Sequence, residues 1–175
     1  EYNVAVAFMG NIYGATHQAG FRFTNVTVPK GATITAATLT FVSAGNHAAT
    51  TCNLIIKGEA NATPDTFSTG ANFAGRTLTT ASVAWSSIPA WTLASSYTSP
   101  DISAVITEIT SLAGWASGNN LVIIISDNTS SADAFRQPKD YGADGVANAA
   151  QLAITYTPSG GGTPTPFATI LNNTR

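Results

Sequence analysis

SPDISAVITEITSLAGW, residues 99–115, is the one stretch of this chain that reads as a helix, and its setting among strands decides the fold. Ser99 suits an N-cap, Pro100 the first helical position, and Asp101 complements the positive end of a helix. Ile102, Val105, Ile106, Ile109 and Leu112 then recur at three- and four-residue spacing as one apolar stripe, and Gly114 stops it. Outward from this stretch the period changes to two. Residues 121–125 (LVIII) form a continuous apolar run of buried-strand length, and 134–136 and 151–156 read as the last strands, separated by a polar loop at 140–145.

On the other side, 82–85 is a short strand, 88–91 a turn anchored by Trp91, and 59–80 a long irregular segment. Loops of that length tend to be functional or to cover something. Residues 50–58 alternate, with Cys52, Leu54 and Ile56 on one face and Asn53, Ile55 and Lys57 on the other. Thr33–Val42 is a strand with Ile34, Leu39 and Phe41 as core candidates, their odd spacing implying a bulge or a late start. Val28-Pro29-Lys30-Gly31-Ala32 is a turn. Residues 20–26 form a strand with Phe21, Phe23 and Val26 inward, 9–19 a loop, and 4–8 a first strand. About eight strands and one crossover helix predict an all-β chain, an antiparallel β-sandwich or jelly roll over residues 1–157. The helix is then structural, closing one open end. A Gly/Pro/Thr linker follows at 158–166, and 167–175 is a short tail too small to fold alone.

Composition narrows the function classes. Of 175 residues only 9% are charged against 44% hydrophobic, so Thr, Ser, Asn and Gly build a soluble surface without charge, as is common outside cells and on virions. Net charge is −2 and the seven basic residues are scattered, which leaves no stripe to meet a phosphate backbone. No apolar run reaches transmembrane length. Cys52 is the only cysteine, so no intrachain disulfide forms, and it reads as a small buried side chain. A start at Glu1 rather than Met reads as a removed leader or a piece of a longer chain.

Catalysis fails on inventory. His17 and His47 sit in Gly/Asn/Ala segments and read as solvated, and no nucleophile elbow is present. Of the carboxylates that could pair for glycosidic cleavage (Glu59, Asp65, Asp101, Glu108), Asp101 is explained by the helix start, and Glu108 lies off the apolar stripe. No cofactor is expected beyond a structural Ca²⁺ that Asp127 and Asp133 in one loop, or Asp140 and Asp144 in another, could hold. Turns favour these residues in any case. Aromatic platforms for a sugar would come from Tyr13, His17, Trp91, Tyr97 and Tyr141, with Tyr13 and Tyr141 in the more polar loops.

Three pieces of sequence also carry a resemblance. Residues 23–41 fit FxNVxVPxGATIxxAxLxF, residues 114–125 fit GWxSGNxLxxxI, and 152–156 reads LxITY. In combination they resemble the DNRLRE family and related carbohydrate-binding modules. The resemblance implies a jelly-roll module on secreted bacterial proteins or phage structural proteins, and no reaction. The segment behind the family's name falls near 135–140, where Lys139-Asp140 stands in place of an Arg-Glu pair, so no ligand site carries over residue by residue.

The resulting expectation is a non-catalytic module, extracellular or on a virion, acting through protein–protein contacts in a homo-oligomer, particle or filament. Phe167, Ile170 and Leu171 of the tail would hook a neighbour by adding a strand to its sheet. Polysaccharide binding is the alternative, and a polysaccharide-active enzyme the third. Neither nucleic acid nor membrane insertion is expected.

Overall fold

Alternating apolar and small polar residues become strands over most of the chain. The structure, a computed structural model, describes residues 7–160 apart from Ala49 and Thr69, and the backbone of Thr165–Ile170. Its strands are β1 (Met9–Ile12), β2 (Ala15–Val26), β3 (Thr33–Val42), β4 (Leu54–Glu59), β5 (Leu78–Trp85), β6 (Ser96–Thr98), β7 (Asn119–Asp127), β8 (Phe135–Arg136), β9 (Gln151–Thr157) and β10 (Thr165–Ile170). Helix α1 (Gly70–Ala74) lies between β4 and β5, α2 (Ser103–Ser111) between β6 and β7, and α3 (Tyr141–Asp144) with a 3-10 turn (Val146–Asn148) between β8 and β9.

These strands form two sheets, ordered β5-β4-β7-β2-β1-β8 and β10-β9-β3-β6, every pairing antiparallel. The connections β2–β3, β3–β4, β5–β6, β6–β7 and β8–β9 each cross from one sheet to the other, which is the jelly-roll habit. Inward residues interdigitate between the layers: Phe21 and Phe23 from β2, Leu39 and Phe41 from β3, Leu54 and Ile56 from β4, Leu152 and Ile154 from β9. Trp85, Trp91 and Trp115 are all buried, and Trp115 donates its indole N–H to the Val28 carbonyl at 3.0 Å.

Several sequence expectations change. The 9–19 segment is not a loop but a hairpin, turned by Tyr13 and Gly14 at φ 51° and 77° between Ile12 and Ala15. Two successive positive φ angles match the twist of the flanking strands. The expected strand at 4–8 falls largely outside the described residues, as do 161–164 of the linker. In β3 the register does shift, between Ile34 and Ala36. The polar loop at 140–145 contains the turn of α3.

Helix α2 starts at Ser103, not beside Ser99, and its N-cap Ile102 makes no side-chain cap bond. Ser99 and Asp101 bond to β3 instead. Ser99 Oγ accepts from Leu39 N at 2.9 Å, and Asp101 Oδ1 from Ala37 N at 2.8 Å. Ser99 N and Ile102 N donate to the Leu39 and Ala37 carbonyls. After only three paired residues of β6 the chain thus keeps running along β3, borrowing side chains as partners, and then coils. Asp101 also takes hydrogen bonds from Ser103 Oγ and N. Burial would raise its pKa, but these bonds outweigh it and hold the carboxyl below its ordinary value. The stripe residues Ile102, Val105, Ile106 and Ile109 are fully buried, packing α2 onto β3 on one side and β4 and β5 on the other. Leu112 lies past the end of the helix and is half-buried.

Candidate functional site

The five expected sugar platforms do not line up on one face. Trp91 is 1% exposed, within a core cluster with Phe41 and Trp85, so it cannot offer a ring to a ligand. Tyr97 stacks on it at 4.7 Å and 7°, its hydroxyl accepting from Thr92 N at 2.7 Å. Tyr141 is half-buried against the core. His17 lies in β2, half-buried, edge-on to Phe8. Tyr13 alone is open, 92% exposed at the hairpin tip. A run of ring contacts joins His17 to Tyr97 through Phe8, Phe135, His47 and Trp91, mostly edge to face. That geometry satisfies ring against ring and leaves few open faces.

The candidate calcium ligands behave as turn acceptors. Asp127 Oδ1 accepts from Ser130 N at 3.3 Å and Asp133 Oδ1 from Tyr13 N at 2.6 Å. Asp140 accepts from Gly142 N, and Asp144 from Asp140 N at 3.0 Å. Among the described residues no three His, Cys, Asp or Glu side chains gather as a metal site would require.

Two of the basic residues scattered through the sequence have interior side chains. Arg136 is fully buried and donates to the carbonyls of Ile88 (2.6 Å), Phe135 (2.7 Å) and Pro89 (2.9 Å). Burial lowers its pKa, and burial with the Arg136 charge lowers that of His47. His47 is itself 8% exposed, not solvated, because its backbone pairs with Trp91. Burial pushes the Cys52 thiol up, so Arg136 nearby does not make it reactive.

Arg76 organises the long segment after β4. Its side chain is 4% exposed, ion-pairs with Glu59, and donates to the Asp65 and Thr66 carbonyls and Asn72 Oδ1. Its guanidinium lies 4.4 Å over the Phe67 ring. Phe67 and Phe73 in turn press on Gly20, where a Cβ would lie 2.5 Å from Phe67. The segment therefore covers the outer face of the six-stranded sheet, and a polar cleft of about 330 Å³ lined by Glu59, Asn61, Asp65, Asn72 and Arg76 is left beside it. Three of the four carboxylates weighed for glycosidic cleavage are engaged in bonds that hold the fold together. Glu59 holds Arg76, Asp101 holds β3, and Glu108, off the apolar stripe, accepts from Thr80 N at 2.9 Å and Ala81 N at 2.7 Å in β5.

The sheet edges differ in how they are closed. At β5, Glu108 of α2 takes two backbone N–H groups. β8 is two residues long and β6 three, with Ser99 and Asp101 capping β3 beyond it. The fourth edge is β10, six residues whose backbone pairs with β9 of the same chain from Thr165↔Tyr156 to Ile170↔Gln151. Of the expected tail residues, Phe167 and Ile170 fall within β10 and Leu171 lies outside the described residues. Among the described helices none is long and apolar enough to cross a membrane.

The chain matches none of the known protein-family models against which it was compared. None of the curated proteins compared with it is significantly similar in sequence either.

Proposed function

We propose that this chain is a non-catalytic structural module, displayed outside the cell or on a virion, that assembles through protein–protein contacts. One observation carries the reading. The C-terminal strand sits at a six-residue sheet edge that no helix or side chain closes among the described residues, and it is joined to the sandwich by a Gly- and Pro-rich linker. Backbone edges of this kind are natural sites for adding a strand, and proteins that need to stay single usually blunt them. The Thr- and Asn-rich surface and the resemblance to DNRLRE-type modules support display outside the cell. Polysaccharide binding has less support, since four of the five candidate rings are buried or half-buried.

Light scattering tests this directly. The full chain should give its one-chain mass of 17.9 kDa when dilute and a rising mass as concentration approaches about 1 mM, the scale set by a short linker. A chain ending at Thr157 should stay at one-chain mass throughout. A full chain that never exceeds one-chain mass would count against self-assembly.

A further inference from the structure

We infer that β10 is an exchangeable strand, and that its partner in trans is β9 of a second copy of this chain, in the same register that it adopts in cis. This rests on the assembly reading above and names its partner and element. The β1–β2 and β9–β10 pairs contrast in the length of their connections. β1 and β2 are joined by two residues, Tyr13 and Gly14, at φ angles that fix the turn. β9 and β10 are joined by 158–164, seven residues that include three consecutive glycines and two prolines. An antiparallel pair needs only two to five residues, so this connection is longer than closing the hairpin demands. Fully extended, seven residues reach about 25 Å, enough to pass β10 to a neighbour lying alongside.

The acceptor is equally defined. If β10 leaves, β9 from Gln151 to Thr157 presents an open edge whose inward residues Leu152, Ile154 and Tyr156 stay locked in the core. The other edge of that sheet is a shorter site, because β6 is three residues long and beyond it Ser99 and Asp101 already occupy the amides of Leu39 and Ala37. A second copy's β10 meets the same backbone groups as the resident strand, so the bonds gained equal those lost. Proximity then decides between cis and trans. A linker this short holds β10 at an effective concentration in the millimolar range, so dilute chains close on themselves. Copies held side by side on a particle or filament reach that density and exchange strands.

Cysteine trapping reads this out in the full chain. Ala153 is exposed in β9 and lies directly opposite Ala168 of β10. Facing antiparallel residues have Cα separations that suit a disulfide. The native Cys52 is fully buried and stays out of the reaction. Ala153→Cys and Ala168→Cys are made in separate chains, mixed, and oxidised briefly. The mixture should yield a covalent dimer joining one chain of each kind, on the order of 1% of chains at about 10 μM and about half near 1 mM. Either variant alone should yield far less. A chain carrying both substitutions should close internally when dilute. If the double variant closes but the mixture gives no mixed dimer at 1 mM, β10 stays in its own chain and the exchange is overturned. If neither cross-link forms, the β9–β10 pairing itself is overturned. Should light scattering still show assembly in either case, the module assembles through another surface, and the assembly reading outlives the exchange.

Discussion

A proton on the His47 imidazole would add charge to a buried neighbourhood that already holds the Arg136 guanidinium. Its folded-state pKa is therefore below the ordinary value of 6.5, by burial first and the arginine second. The sign follows from linkage. Between that lowered pKa and 6.5 the unfolded chain binds the proton more readily, so acid favours unfolding. The stabilisation is complete above about pH 6.5 and is lost as pH falls toward the folded pKa. Urea midpoints should drop between pH 7 and pH 5, and His47→Gln should flatten that part of the profile. An unchanged slope in the variant would mean that the acid sensitivity lies elsewhere. The two interior arginines are held differently. Arg136 is met by carbonyl dipoles alone among its hydrogen bonds, whereas Arg76 faces the Glu59 carboxylate, and removing either member of such a buried pair typically costs about 3–5 kcal/mol.

At the scale of elements, α2 is seated by a missing side chain. A Cβ at Gly58 in β4 would lie 2.5 Å from Ile109 Cδ1 and 3.1 Å from Val105 Cγ1, so the helix rests directly on the strand backbone. Gly58→Ala should destabilise the fold by about 1–3 kcal/mol through overpacking. Adding Ile109→Val removes the offending methyl, and the pair should show favourable coupling in a double-mutant cycle by chemical denaturation; strictly additive losses would refute this seating. The apolar stripe that docks here was legible from sequence because its spacing is a property of the helix alone. The helix start was not. Ser99 and Asp101 satisfy every local rule for a cap, but the unpaired amides of Leu39 and Ala37, some 60 residues away, compete for the same oxygens and win. The β1–β2 hairpin was missed for a related reason: Tyr13 takes a positive φ that non-glycine residues rarely adopt. The interior arginines were missed because burial of a charge depends on carbonyls and carboxylates that only the tertiary fold brings near. Position within the sheet is likewise invisible to sequence, so β10 could be expected to add to an edge, but not to which one.

The molecule as a whole is unevenly secured. β7 sits in the middle of the six-stranded sheet between β2 and β4, and Leu121, Val122, Ile123, Ile124 and Ile125 are all buried, so both faces of the strand are covered. That strand cannot open without breaking two ladders and uncovering the core on both sides. β10 is paired on one side only and follows a seven-residue connection that includes three consecutive glycines. Opening free energies in native proteins range from near zero at loosely held segments up to the full unfolding free energy in the core. Hydrogen exchange should therefore separate the two strands. Amides at 121–125 should exchange only through global unfolding, their rates climbing steeply with denaturant. Amides that β10 donates to β9, and those that β9 donates back, should exchange together, faster, and with little denaturant dependence, as expected for one strand peeling away. The pairing is then a closed latch whose release leaves the sandwich intact, the condition that strand exchange between copies requires. Equal protection of β10 and β7 would instead make the C-terminal strand part of the cooperative core, and would leave exchange no route short of unfolding the whole chain.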